Sequence, residues 1–201
     1  MIKRIAYKFL ELKFALTNGG VIDVSKNGFW HYRYPPSKSL RKTCKLFDRL
    51  GGETIIEVGS GLHGEHSGNS LLKWLKWTNA SEINAVDNSP QRIGEISKAL
   101  LYYPKSCRDR VHTHKVEAQK FLSEYSKQID LLYLDFWVDD VEKTVPGTSR
   151  ENAYLKAYML VRNKFREGSL ILIDDTDHIL PWKHSLIIKR ARRDGFKVLH
   201  V

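Results

Sequence analysis

The chain is poor in cysteine, in acidic residues relative to basic ones, and in long apolar runs. Its 201 residues include 2 cysteines, Cys44 and Cys107. Two isolated thiols make neither a disulfide framework nor the paired spacing of a metal site, so a reducing, cytoplasmic setting is expected. No stretch is long and apolar enough to span a bilayer, and no repeat or low-complexity tract appears. Met1–Leu16 places Ile2, Ile5, Phe9, Leu12 and Leu16 at helical spacing, but Lys3, Arg4, Lys8, Glu11 and Lys13 interrupt them. Those charges break the apolar segment a secretion signal needs. The stretch reads as an amphipathic helix packed on the domain rather than on a membrane surface, with a homo-oligomer contact as a further possibility. The shortage of acids, 23 against 33 Lys and Arg, leaves a net charge of +10. That balance suits anionic partners (nucleic acid, phosphorylated substrates or an acidic membrane) and equally a merely solubilising surface.

What remains is a soluble globular composition, 42% hydrophobic and 28% charged, in a chain long enough for one domain with a real core. Residues 17–37 hold Asn18-Gly19-Gly20, Asn27-Gly28 and Pro35-Pro36 around an aromatic cluster and read as a loop-rich arm. Residues 1–37 are therefore taken as an N-terminal helix and arm, and 38–201 as the main domain. A helix capped by Ser37 or Ser39 is expected to run to about Leu50. Beyond it, strand and helix patterns alternate. Strands are expected at Thr54–Val58, Ile83–Asp87, Val111–Val116, Ile129–Asp135, Ser169–Asp175 and Phe196–Val201. Helices are expected at Asn69–Trp77, Pro90–Tyr103, Ala118–Ser126, Arg150–Phe165 and His184–Arg193. Gly168 and Gly195 stand where helix ends are expected. This alternation predicts an α/β domain with a Rossmann-like, doubly wound, mostly parallel sheet and helices on both faces.

The domain is organised around Thr54-Ile55-Ile56-Glu57-Val58-Gly59-Ser60-Gly61. A β-branched run of this kind suits a strand buried on both faces. Its glycines allow a sharp turn and a close ligand approach at the carboxyl edge, where open α/β sheets bind ligands. Asp87 ends the next strand. It could accept hydrogen bonds from a ribose or serve as a helix cap, and it is expected near the surface. Asp135 ends the fourth strand; Asp174 and Asp175 end the fifth. If those strands are neighbours, three carboxylates meet at one rim, where crowded like charges call for protons or a cation, and hard oxygen ligands suit Mg²⁺ or Ca²⁺. Helix capping and solvent exposure are the alternative. Of the histidines, His178 is the best placed as a proton carrier.

These residues together resemble the class I S-adenosylmethionine-dependent methyltransferases over about Leu40 to Val201. Glu57, Gly59, Ser60 and Gly61 are similar to the loop that holds the cofactor's methionine part. Asp87 is similar to the ribose-binding acid, and Glu117-Ala118-Gln119 resembles the adenine-contacting segment. Leu134-Asp135-Phe136-Trp137 resembles the post-strand motif of catechol-type O-methyltransferases. Ile173-Asp174-Asp175 resembles the second metal segment of those enzymes and of the macrocin-type sugar O-methyltransferases. The resemblance implies Mg²⁺ held by Asp135, Asp174 and Asp175, and methyl transfer to a hydroxyl of a small molecule such as a sugar. Asp135 would also contribute to cofactor binding.

Three departures stand out. The catechol-type lysine three residues after the first metal acid is here Val138, which leaves Asp135, Asp139, His178 or metal-bound solvent as the base. Leu62–Ser67 looks like an insertion after the first motif. The class closes its sheet with an antiparallel hairpin, and the chain stops at Val201 where that hairpin's first strand would lie, so the hairpin is expected to be truncated. Nucleic-acid methyl transfer, suggested by Lys189-Arg190-Ala191-Arg192-Arg193, is one alternative function. A cofactor-binding module without turnover is another.

Overall fold

The computed structural model describes residues 21–24, 30–33, 36–60, 70–136, 149–173 and 185–197. The helix expected at Met1–Leu16 lies outside them. The chain divides into two compact units, Met1–Thr43 and Cys44–Val201. The division falls inside helix α1 (Pro36–Arg49), beyond the 37/38 boundary read from the sequence.

In the first unit, β1 (Val21–Val24) and β2 (Trp30–Arg33) pair antiparallel, Val21 opposite Arg33 and Val24 opposite Trp30. This corrects the loop-rich reading of the arm. Val-Ile-Asp-Val and Trp-His-Tyr-Arg are short runs of good strand formers, and turn residues on either side of them had dominated the pattern. The helix α1 also begins earlier than expected. Pro36 takes its first position, where a missing N–H costs no helical hydrogen bond, so neither Ser37 nor Ser39 is the cap.

The second unit is built on a five-stranded parallel sheet: β3 (Thr54–Val58), β4 (Glu82–Asp87), β5 (Val111–Lys115), β6 (Ile129–Leu134) and β7 (Phe165–Ile173). Their spatial order is β5-β4-β3-β6-β7. The chain winds outward from β3 in one direction, then returns to its other side with β6, so the order reverses between β3 and β6. Such a reversal opens a crevice at the carboxyl ends of the two strands. β3 pairs on both sides, Ile55 with Ile83 and with Leu131, which is why Ile55, Ile56, Glu57 and Val58 are all buried.

Ile56, Val58, Leu132 and Leu134 share one core cluster with Leu122 of α5 (Ala118–Glu124), Tyr154, Tyr158 and Val161 of α6 (Ser149–Val161), and Ile187 and Ala191 of α7 (Ser185–Arg193). Alternation along β3 sends Ile55 and Glu57 to the opposite face. There Glu57 meets α2 (Ser70–Trp77), and Trp74 of that helix lies edge-on to Tyr133 at 5.6 Å. Full burial of side chains as large as Trp74, Tyr154 and Tyr158 contributes roughly 2 to 3 kcal/mol each from apolar area.

The helix α3 (Pro90–Leu100) follows β4, and a short α4 (Lys105–Arg108), absent from the sequence reading, precedes β5. The clearest difference from expectation is β7, which starts at Phe165 and not at Ser169. The preceding helix ends at Val161, and a 3-10 turn spans Arg162–Lys164. Phe165 belongs to the strand because it pairs with Ile129 and stacks on Tyr158 at 6.0 Å. Gly168, expected to end a helix, stands inside β7 at φ +86. From Ile129 to Leu131 the partners on β7 run from Phe165 to Leu170, so β7 bulges there and glycine takes the left-handed backbone. Phe196 and Lys197 are not in a strand; the remainder of the strand expected to Val201 lies outside the described residues.

The amino edge of the sheet is clamped by Asp130. Its Oδ2 accepts from the N–H groups of Glu53 (2.9 Å) and Thr54 (3.0 Å), and its Oδ1 accepts from Arg166 Nε at 2.6 Å. Burial pushes this carboxyl up, but the two N–H donors and the guanidinium outweigh it and hold it below the usual carboxylate range. Three strands, β3, β6 and β7, are tied together at one acid.

Candidate functional site

At the carboxyl edge the same strands, with β4, build a rim. β3 gives way to Gly59 at φ +88. Gly59 N–H donates to Val86 O at 2.8 Å and Ser60 N–H to the same oxygen at 3.3 Å, while Asp135 N–H donates to Val58 O at 2.9 Å. The loop after β3 is thus stitched to β4 on one side and to the end of β6 on the other. A Cβ on Gly59 would lie 2.1 Å from Asp135 O and 2.7 Å from Phe136 Cα. Only glycine fits, both for its φ and for this close backbone approach. The glycine singled out in the sequence is therefore required by the switch point itself.

Glu57 and Ser60 are buried beneath the rim at 2% exposure each. Ser60 Oγ donates to Glu57 O at 2.8 Å, and Ser70 Oγ, at the start of α2, donates to Glu57 Oε1 at 2.5 Å. Glu57 therefore ties the strand to α2 across the segment that contains Gly61, which lies outside the described residues. Ser70 carries no signal in the sequence that would link it to Glu57, thirteen residues away.

Asp87 ends β4 but is not near the surface: it is 6% exposed. Its Oδ1 accepts from Ser89 N–H at 2.8 Å, and Arg92 Nη1 lies 3.4 Å from Oδ2. The acid folds onto the first turn of α3, whose cap is Ser89, accepting from Arg92 N–H. Arg92 was missed because it stands a helical turn beyond the strand. The two oxygens keep acceptor capacity after these contacts, since a carboxylate offers about four lone-pair sites. Beside it, Asn88 Nδ2 donates to Glu117 Oε1 at 2.7 Å, joining the loops after β4 and β5. Ala118 and Gln119 follow, half-buried in the first turn of α5. Deeper along these strands His114 meets Asn84 Oδ1 at 2.8 Å, and burial, with the neighbouring charge of His112, pushes its pKa down.

Asp135 stands half-buried at the end of β6. The next residue is fixed by α6: Tyr154 OH donates to Phe136 O at 3.0 Å, and the two rings stack at 4.4 Å. β6 and β7 are paired neighbours whose last residues, Leu134 and Ile173, are in register, as the three-acid expectation requires of the strands. Asp174, Asp175, Asp139, His178 and Val138 lie outside the described residues. Among the described residues no three His, Cys, Asp or Glu side chains gather as a metal site. The structure therefore brings Glu57, Gly59, Ser60, Asp87, Ala118, Gln119 and Asp135 to one edge.

No family model matches the chain, and no curated protein matches it in sequence. Solved structures resemble it in fold. The S-adenosylhomocysteine-bound methyltransferase of Podospora anserina aligns at 19% identity over 94% of this chain and 81% of its own, with a TM-score of 0.56. A Staphylococcus aureus protein provisionally named a caffeoyl-CoA O-methyltransferase aligns at 14% identity over 83% of this chain, TM-score 0.51, and the present chain spans 65% of that protein's length. An rRNA methylase of Streptococcus thermophilus aligns at 11% identity over 78% of each chain, TM-score 0.50. With the parallel sheet and the β3/β6 switch point, these likenesses show the fold: an α/β, Rossmann-like domain of the kind those solved methyltransferases share. No helix among the described residues is long and apolar enough to cross a membrane.

Proposed function

We propose that this chain is an S-adenosylmethionine-dependent methyltransferase acting on a hydroxyl of a small molecule such as a sugar, with Mg²⁺ assistance. The observation that carries the cofactor reading is the Gly59 rim, where backbone from β3, β4 and β6 converges so closely that no side chain fits. In this reading Gly59, Ser60 and Gly61 lie along the cofactor's methionine end, and Glu57 fixes that loop from beneath through Ser70. Asp87, oriented by Ser89 and Arg92, accepts from the ribose, and Ala118 and Gln119 flank the adenine.

When bound, the cofactor supplies a methyl group already activated on a sulfonium, and the metal acidifies and orients the acceptor hydroxyl. Asp135 would hold the metal together with Asp174 and Asp175; the in-register ends of β6 and β7 support the pairing of these segments. Asp135 itself, Asp139, His178 or metal-bound solvent would take the hydroxyl's proton. A nucleic-acid acceptor is the second reading, favoured by the basic helix α7.

The test is calorimetric titration with S-adenosylhomocysteine, in Mg²⁺ and again in EDTA. Cofactor binding in both, with a separate Mg²⁺ signal that Asp174→Asn abolishes, supports the whole reading. Cofactor binding without any metal signal retains methyl transfer and removes the metal. Absence of cofactor binding overturns the proposal.

A further inference from the structure

The α7 helix carries a second concentration of chemistry, far from the rim. Ile187 and Ala191 are buried in the core. At about 100° per residue, Lys189, Arg190, Arg192 and Arg193 fan out over the opposite side of the helix. Lys189, Arg192, Arg193 and, just beyond, Lys197 are all exposed. From Ser185 to Lys197 the only acid is Asp194, and it is occupied, accepting from Arg190 Nε at 3.1 Å and from Tyr158 OH at 2.7 Å. Arg162 stands one helical turn beyond Tyr158, whose OH reaches Asp194, and so joins the same patch.

The position of this patch follows from its apolar neighbours. Phe196 lies 5.5 Å from Phe165, which opens β7 and pairs with Ile129, which opens β6. Arg162, Arg192, Arg193 and Lys197 therefore stand at the amino edge of the sheet, with Lys189 one helical turn back along α7, and the Gly59 rim stands at the carboxyl edge. Six residues of β6 separate the two edges, roughly 20 Å at 3.3 Å per residue. A small acceptor held at the patch could not reach the rim.

We propose that the amino-edge patch of Arg162, Lys189, Arg192, Arg193 and Lys197 docks the phosphodiester backbone of a nucleic acid. Among the described residues none of these five cations forms a salt bridge; gathered on one surface they repel one another, and a chain of phosphates relieves that repulsion while releasing its own counterions. Three of the five are arginines, whose planar fork matches phosphate oxygens. An anionic membrane would be expected to find an apolar anchor among the charges. None of the exposed large apolar side chains among the described residues lies on α7, and Met159, 37% exposed on α6, is the nearest in sequence to Arg162. The inference stands apart from methyl transfer, because docking is measured without cofactor.

The experiment is fluorescence anisotropy with labelled single-stranded RNA and DNA oligonucleotides of about 20 nucleotides, titrated between about 50 and 200 mM salt. The triple variant Lys189→Gln, Arg192→Gln, Arg193→Gln leaves the Arg190–Asp194–Tyr158 contacts intact. A control triple, Lys76→Gln, Lys98→Gln, Lys105→Gln, removes the same charge from exposed positions on other elements. The wild type and the control bind, with log K falling as log salt rises. The patch triple binds at least tenfold more weakly, and its slope is smaller by about 2, or 0.7 per lost phosphate contact. Each single variant, Arg192→Gln or Arg193→Gln, lowers the slope by about 0.7, which keeps the test open if the triple fails to fold. Equal losses in both triples, an unchanged patch triple, or binding to phosphatidylserine vesicles with none to either oligonucleotide overturns the proposal.

Discussion

Replacing Gly59 by alanine tests the physical core of this account. The new Cβ would lie 2.1 Å from Asp135 O and 2.5 Å from Asp135 C, while real Cβ contacts stay above 3.0 Å. The rims of β3 and β6 must therefore part by about 0.9 Å, the difference between 3.0 and 2.1. Such a movement stretches the Asp135 N–H to Val58 O bond from 2.9 Å to beyond hydrogen-bonding range. Overpacking of this kind costs about 1 to 3 kcal/mol, and the left-handed backbone adds about 1 to 2 kcal/mol for an L side chain. Together they amount to roughly 2 to 5 kcal/mol, a fall in Tm of order 10 °C for a domain of this size.

Gly94→Ala is the matched control. Gly94 lies within α3 with nothing within 4 Å of its would-be Cβ. Alanine there should raise stability by roughly 0.5 to 1 kcal/mol through helix propensity. Scanning calorimetry reads both, and titration with S-adenosylhomocysteine reads the rim, where Gly59→Ala should weaken binding at least tenfold. A Gly59→Ala protein that melts and binds like the wild type would refute the close-approach argument.

Other expectations follow from individual contacts. Asp87→Ala should weaken S-adenosylhomocysteine binding and also cost about 1 to 3 kcal/mol in urea unfolding, because the N–H of Ser89 and the Arg92 guanidinium lose a buried partner; unchanged affinity would remove the ribose role. Asp130→Ala should cost roughly 2 to 4 kcal/mol by orphaning the N–H groups of Glu53 and Thr54. Because the folded protein holds Asp130 below the usual carboxylate range, its contribution is complete above the unfolded pKa of about 4 and is lost as pH falls through the folded value. Urea midpoints measured down that acid limb should therefore fall less steeply in Asp130→Ala than in the wild type, and parallel limbs would contradict the clamp. Tyr154→Phe keeps the ring stack on Phe136 and removes the hydrogen bond to Phe136 O, so about 1 kcal/mol of stability should be lost. If Tyr154 positions the end of β6, any Mg²⁺ signal should also weaken in that variant.

The central strands were legible because each is a continuous apolar run that admits one environment. Ile55-Ile56 and Leu131-Leu132 are buried on both faces, so no period had to be chosen. The positions of Gly59, Asp87 and Asp135 at strand ends followed directly. What pairing contributes was not legible: nothing in the order of the chain says that β3 lies between β4 and β6, and only that order makes Gly59 obligatory. β7 was shortened in the reading because Arg166-Glu167-Gly168 is polar and ends in glycine. In the structure Arg166 is a strand residue turned to Asp130, and Gly168 serves a bulge. Asp87 was misjudged as a surface acid because its partner, Arg92, belongs to the next element. The arm's hairpin was hidden by the turn residues that bound its strands.

The most direct measurement is the map of backbone amide shifts in the NMR spectrum of the labelled protein as S-adenosylhomocysteine is added. Amides of Gly59, Ser60, Asn88, Ala118 and Gln119 should move, with the amino-edge amides of Lys127 and Arg166 left in place. No shifts at saturating ligand, or shifts centred on the amino edge, would contradict it.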